Sequence, residues 1–245
     1  MSTSLTRRFE KEYLDDLNSP ERYEKILSDL VRVFTVIKRY EAAMSKLEPI
    51  VWQLAARRKS NEPIRVLEVG GGLGGFTAHF LKWAAQRDIE LDYTFTDINE
   101  HGLKLAKKRL LTGQIGKGSV IKIEKFDARD LDKTAPQSFD LVIGLLLLHH
   151  IADDEEVIKF FKKVDRVSTS LFFYDSERSW RGLIGTWLAL RAFRVCKGLK
   201  HDGVLSFRRS YTIPELIDLL ERTNLNYLEI GKIKPWELCV RGIKQ

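Results

Sequence analysis

Residues 66–77 read VLEVGGGLGGFT, with five glycines between Gly70 and Gly75. At that density, between an apolar run and an amphipathic stretch, glycines let the backbone turn tightly and approach a ligand. The amides of the following helix then point at the ligand's negative charge. The loop satisfies two patterns. Gly70, Gly72 and Gly75 make G-x-G-x-x-G, the dinucleotide fingerprint, whereas Glu68, Gly70, Gly72 and Gly74 make E-x-G-x-G-x-G, with Gly71 inside it. Two further carboxylates close later apolar runs. Asp97 suits a pair of ribose hydroxyls and Asp127 a second cofactor group, although either could simply cap a turn. His149 and His150 are candidate bases, because imidazole titrates near neutrality, or they could shape the pocket through backbone hydrogen bonds. Tyr174, Asp175 and Glu177 add polar groups further along, and Arg178 could bind a substrate carboxylate or pair with one of them.

The elements that must position these residues alternate from Ile64 onward. Apolar runs at 64–69, 91–96, 119–126, 139–146 and 168–174 predict strands; the periodicity at 76–85, 100–111 and 153–164 predicts helices, with Gly113 as the stop of the second. Phe139–Leu146 is apolar throughout, as expected of a strand buried on both faces of a parallel sheet. Thr212-Ile213-Pro214-Glu215 is a capping box opening a helix to about Arg222. Leu225–Ile230 and Trp236–Val240 lie too close together for a helical crossover, so they predict an antiparallel hairpin at the sheet edge. Upstream, Leu5–Lys59 reads as wholly helical. Ser19-Pro20 starts one helix, Glu48-Pro49 breaks it, Ile50 opens a shorter one, and Asn61-Glu62-Pro63 is the entry loop. The expected organisation is an N-terminal helical cap over residues 1–60 and an α/β domain over 61–245.

An insertion at 176–211 interrupts that domain. Trp180, Leu183, Ile184, Trp187 and Leu188 fall at helical spacing on one face. The simpler expectation is a helix packed on the sheet or on the cap; the alternatives are a wall over the substrate, a dimer face or a membrane-surface contact. Between Arg178 and Arg209, eight Lys or Arg side chains meet only Asp202, in a chain of net charge +7. Such a segment is either a solvated face or an attractor for an anionic partner. With 44% hydrophobic and 31% charged residues the chain is globular, and no apolar run approaches the roughly 18 residues of a membrane-spanning helix. The start turns acidic where a signal peptide needs an apolar region, and Cys196 and Cys239 are too few for a metal site. The expectation is therefore a cytoplasmic protein without a bound metal, acting as a monomer or homodimer.

Four features choose between the two glycine patterns. Glu68 suits a cationic cofactor and opposes a pyrophosphate; Asp127 stands near where an adenine amino group would lie. The long helical lead-in and the antiparallel closing strand both differ from an all-parallel dinucleotide sheet. The set LEVGGGLGG, TDINEHGLKLAKKRL, FDARDL, FDLVIGLLLLHHI and FFYDSERS, in that order over residues 63–245, resembles the class I S-adenosylmethionine-dependent methyltransferases of small-molecule type. The resemblance implies a three-layer Rossmann-like α/β sheet of seven strands with the last hairpin strand antiparallel. It implies S-adenosylmethionine as cofactor and S-adenosylhomocysteine as product. It further implies that Gly70, Gly72 and Gly74 pass the methionyl part, that Glu68 orders the loop and adds negative potential, and that Asp97 holds the ribose. Ile98 would pack on adenine, Asp127 beside Ala128 would accept from its amino group, and the backbone at Leu145 and Leu146 would meet the ammonium.

The acceptor is less marked, since methyl transfer needs alignment and water exclusion more than side-chain chemistry. Residues 144–150, GLLLLHH, lack the Asn/Asp-Pro-Pro-aromatic signature of base amino-methylation, and neither cysteine follows a core strand, so nucleic acid is disfavoured. A small, partly apolar acceptor is expected, methylated on oxygen with help from His149, His150 or Tyr174. An RNA methyltransferase using the basic segment, an NAD(P)-dependent reductase and a non-catalytic cofactor binder are the alternatives.

Overall fold

The computed structural model describes residues 5–16, 18–58, 62–112 and 119–244. One sheet contains β1 (Ile64–Glu68), β2 (Leu91–Asp97), β3 (Val120–Lys125), β4 (Leu141–Leu145), β5 (Ser170–Ser176), β6 (Leu228–Lys234) and β7 (Glu237–Ile243). Their order is β3-β2-β1-β4-β5-β7-β6. The first five strands run parallel, and β7 is antiparallel to both of its neighbours. Around the sheet lie α1 (Pro20–Val36), α2 (Arg39–Arg57), α3 (Gly75–Ala85), α4 (Glu100–Leu111), α5 (Asp154–Val167), α6 (Trp180–Ala192), α7 (Lys197–Arg209) and α8 (Ile213–Glu221).

Strand alternation builds the three layers. Val66, Leu141, Ile143 and Phe172 point into a core shared with α2, α3 and α4. Their neighbours Leu67, Val142, Leu171 and Phe173 point the other way, against α5 and α8. Both faces of β4 and β5 are thus covered, which is why these strands read as unbroken apolar runs. The strands after β1 are added on one side of it as far as β3 and on the other side from β4 on, so the loops after β1 and β4 diverge and leave a crevice at their carboxyl ends.

Three expectations change. First, Pro49 does not end a helix: α2 runs through it, because Tyr40, Ala43, Met44, Leu47, Ile50, Val51 and Leu54 keep one buried face on both sides of it. The break falls earlier, at Lys38, whose φ of 56° is left-handed. Second, residues 5–16 are not helical beyond the short turn Tyr13–Asp15; they form an extended strap held across α7. Third, the insertion is two helices, α6 and α7. The closing strands form the expected hairpin, shifted a few residues along because Asn224 takes a left-handed turn after α8 and Trp236 turns the hairpin at φ 69°. Gly113, Lys59 and Asn61 lie outside the described residues.

Candidate active site

The crevice opens into a chamber of about 1010 Å³, large enough for a cofactor and an acceptor together. Its floor is the loop after β1. Gly70, Gly72 and Gly74 all have positive φ, between 59° and 70°, a backbone that a side chain would strain. Gly70, Gly71 and Gly72 line the chamber. Gly74 does not: it caps α3, and the direction a side chain would take there meets Leu110 of α4.

Glu68 sits beneath this loop, almost fully buried. Its Oε2 accepts from the Thr77 hydroxyl at 2.5 Å and the Tyr93 hydroxyl at 2.7 Å, tying β1 to α3 and β2. Burial pushes its carboxyl up to about 7, against those two hydrogen bonds. These bonds fix the strand and helix that flank the loop, and the negative charge of the carboxyl is only partly expressed at neutral pH. Its ordinary value is 4.5, so the fold favours the protonated form. That stabilisation is complete below about 4.5 and is lost as pH rises through about 7. We expect thermal stability to decline over this window and Glu68→Gln to flatten part of the decline. Parallel melting curves for the two proteins would remove Glu68 as its source.

Asp97, at the end of β2, accepts from the Gly72 amide and the Asn99 amide, both at 2.8 Å. Burial raises its carboxyl above the usual range, and those amides with the Tyr23 hydroxyl oppose the shift. Tyr23 comes from α1, where helical spacing marked it as core; nothing in its pattern signalled a hydroxyl aimed at Asp97. Ile98 is 38% exposed and lines the chamber beside it. Asp127 and Ala128 also line the chamber. Asp127 is engaged already: it accepts from the Arg129 amide at 2.9 Å and pairs with the Arg129 guanidinium, which holds its carboxyl below the usual range. Capping is therefore one of its roles. Leu145 and Leu146 also line the chamber, and Leu146 adopts φ 56° while its amide donates to the Tyr174 carbonyl.

The polar end is built by the short turn Leu148–His150. His149 is 2% exposed, and its Nδ1 lies 2.8 Å from Asp175 Oδ1. The other oxygen of that carboxylate accepts from the His149 amide at 3.1 Å. A carboxylate can only accept, so Nδ1 carries the hydrogen and Nε2 keeps the lone pair. Burial works against the Asp175 charge, yet His149 and two amides outweigh it and hold the carboxyl below its usual range. The His150 ring lies tilted against that of His149 with centroids 4.3 Å apart, and its Nδ1 meets Asp15 at 3.1 Å. Sequence reasoning placed Asp175 only among general polar candidates and missed the strap residues Glu12 and Asp15, which follow no periodic pattern.

Two other expectations fail here. Tyr174 is 1% exposed and does not line the chamber; its ring lies under Arg39, so it offers no hydroxyl to an acceptor. Arg178 is also internal, donating to the carbonyls of Leu5 and Ser210 and pairing with Glu215. Glu177 pairs with Lys232 at 3.2 Å. The roof is the strap. Arg209, 1% exposed, pairs with Glu12 at 3.2 Å and Asp15 at 2.7 Å, and Asp202 accepts from the amides of Tyr13 and Leu14. Glu12, His149 and His150 each offer a ligand atom within 4.8 Å of the others, a spacing suited to a metal ion; the Arg209 guanidinium already supplies the positive charge beside Glu12. Among the described residues, no helix is long and apolar enough to cross a membrane.

Comparison with known proteins bears on this geometry. A family model described as a methyltransferase domain matches residues 67–167, the span from the glycine loop through α5. The non-reducing polyketide synthase adrD of Penicillium roqueforti is 32% identical over 118 residues, which are 48% of this chain and 5% of that protein. The chain therefore spans a small fraction of such relatives. The DszA carbon methyltransferase superposes with a TM-score of 0.62 at 18% identity, covering 86% of this chain and 54% of that one. The plantazolicin methyltransferase BamL, solved with S-adenosylhomocysteine, superposes with a TM-score of 0.60 at 14% identity over 93% of this chain and 97% of that one. The strand order, the positive-φ glycines below a chamber of this size and the domain match agree: residues 67–167 match a methyltransferase domain, and the sheet around them has the S-adenosylmethionine-dependent methyltransferase fold.

Proposed function

We propose that this enzyme methylates a small, largely apolar acceptor whose proton is taken by His149. The observation that carries the reading is the buried His149–Asp175 pair at the edge of the chamber. A base is needed only where the acceptor arrives protonated. Asp175 fixes the imidazole so that Nε2 is the accepting nitrogen, and the strap with α6 keeps water out. The bound S-adenosylmethionine supplies an electrophilic methyl group. The residues that would hold it are Gly70–Gly72 and the Leu145–Leu146 backbone at its methionyl part, Asp97 at the ribose, and Ile98, Asp127 and Ala128 at the adenine. Asp97→Ala should weaken S-adenosylhomocysteine binding by about 1–3 kcal/mol, the range for stranding polar partners. Calorimetry checks this, and unchanged affinity removes Asp97 from the site. In the same titrations, a response to nicotinamide dinucleotides but none to S-adenosylhomocysteine would contradict the cofactor assignment.

Both enolisable 1,3-dicarbonyl compounds and phenols carry protons acidic enough for an imidazole base. We take carbon ahead of the oxygen expected from sequence for two reasons. Tyr174 is withdrawn from the acceptor side, and several of the similar proteins are polyketide synthases or carbon methyltransferases by name. In the step itself, His149 Nε2 takes the acceptor C–H proton and passes it to solvent, leaving the acceptor carbon as the nucleophile. That carbon takes the methyl group as the cofactor's sulfur–methyl bond breaks, with S-adenosylhomocysteine as the leaving group. RNA is the weaker reading, because Arg178 and Arg209 of the basic segment are spent on internal pairs. A panel of 1,3-dicarbonyl and phenolic acceptors with methyl-labelled cofactor, read by NMR, tests the choice. Carbon-bound label is expected; label found solely on oxygen would sink the carbon assignment.

A further inference from the structure

The apolar stripe of the insertion is not buried. In α6, Trp180, Ile184, Trp187 and Leu188 are 50, 55, 43 and 55% exposed. The small residues of the same helix turn inward instead, Gly182 and Gly185 fitting closely over Trp236. Around the stripe stand exposed Arg181, Arg191, Arg194 and Lys197, with the Arg191 guanidinium 3.6 Å from the Trp187 ring centroid. No acidic residue occurs from Arg178 to His201. Exposed Val36 and Ile37 end α1, and Lys234 of the adjoining hairpin rests on the carbonyls of Ile37 and Lys38. Ile37, Gly185, Lys234 and Pro235 line one chamber, so the end of α1, the hairpin and α6 border it together.

We propose that this face docks on an anionic lipid bilayer, with α6 lying in the headgroup layer. Tryptophans beside leucine and isoleucine, rimmed by a single sign of charge, are the composition of an interfacial helix. Anionic headgroups supply the missing negative charge. A second copy fits less well: a two-fold contact would set Arg191 and Arg194 of one chain against the same cations of the other. The inner side of α6, through Gly185, Thr186, Ala189 and Leu190, lines the chamber. One helix therefore separates lipid from the acceptor space, and the acceptor class this favours is one that partitions into bilayers. That last statement rests on the acceptor reading above; the docking does not.

The test uses the full chain, without acceptor, and vesicles of phosphatidylcholine alone or with phosphatidylglycerol, followed by flotation and tryptophan emission. Expected are binding to the anionic vesicles with a blue shift, little binding to the neutral ones, and release by salt. Ile184→Glu and Trp187→Glu should each weaken partitioning by about tenfold or more, since a charge replaces a group inserted at the interface. Both variants should keep the wild-type melting temperature and S-adenosylhomocysteine affinity. Absence of binding to anionic vesicles would overturn the proposal, as would equal binding by folded variants. A dimer that Ile184→Glu splits, or an acidic protein that competes where vesicles do not bind, would assign the face to that occupant instead. Because no acceptor is present, failure of the base reading leaves this result untouched.

Discussion

His149→Ala is expected to lower kcat by roughly 10²–10⁴-fold, the usual worth of a positioned general base. The cofactor affinity should stay unchanged, because His149 belongs to the Leu148–His150 turn and not to the glycine loop. Asp175→Asn should produce a loss of similar kind while preserving shape. An amide can donate to Nδ1, which moves the imidazole hydrogen to Nε2 and removes the lone pair facing the acceptor. KM for the acceptor should move little in either variant. Single-turnover rates across pH decide the matter. Wild-type kcat in His149→Ala would leave the dyad a structural pair, whereas loss confined to KM would make it a binding group.

Arg209→Ala is expected to destabilise the protein by about 3–5 kcal/mol, because it strands the buried Glu12 carboxylate and leaves Asp15 short of a partner. For a chain of this size the melting temperature should fall on the order of 10 °C. Glu12 is pushed up to about 7, chiefly by burial, so the damage should be smaller below that value, where the stranded group can take a proton. Adding Glu12→Gln should recover part of the loss near neutrality. Urea melts of the single and double variants at two pH values measure the coupling. A loss under about 1 kcal/mol, typical of exposed pairs, would mean that other contacts hold the strap.

The sheet and the floor of the site were legible because they depend on local pattern. Apolar runs on β4 and β5, the glycine loop and the capping box at Thr212 are each determined by neighbours in sequence. The roof was not legible, because it depends on pairing across almost the whole chain. Glu12, Asp15 and Arg209 are ordinary surface residues by composition, and only the fold brings them together. Pro49 misled because packing on both sides of it outweighs its missing amide. The α6 stripe misled differently: its periodicity correctly marked a helix, but helical spacing cannot say whether the apolar side meets protein or something else. Tyr174 and Asp175 are adjacent, and strand alternation sends one into the sheet core and the other to His149.

The pairing of Glu12 with Arg209 also orders events during synthesis. These residues are 197 positions apart, so the roof cannot close until the chain through α7 has left the ribosome. The first five strands can already be hydrogen-bonded by then, since each pairs with a strand that precedes α6. Closing so long a loop carries its entropic cost late. The nascent chain is therefore expected to form the glycine-loop floor before the strap closes over the chamber.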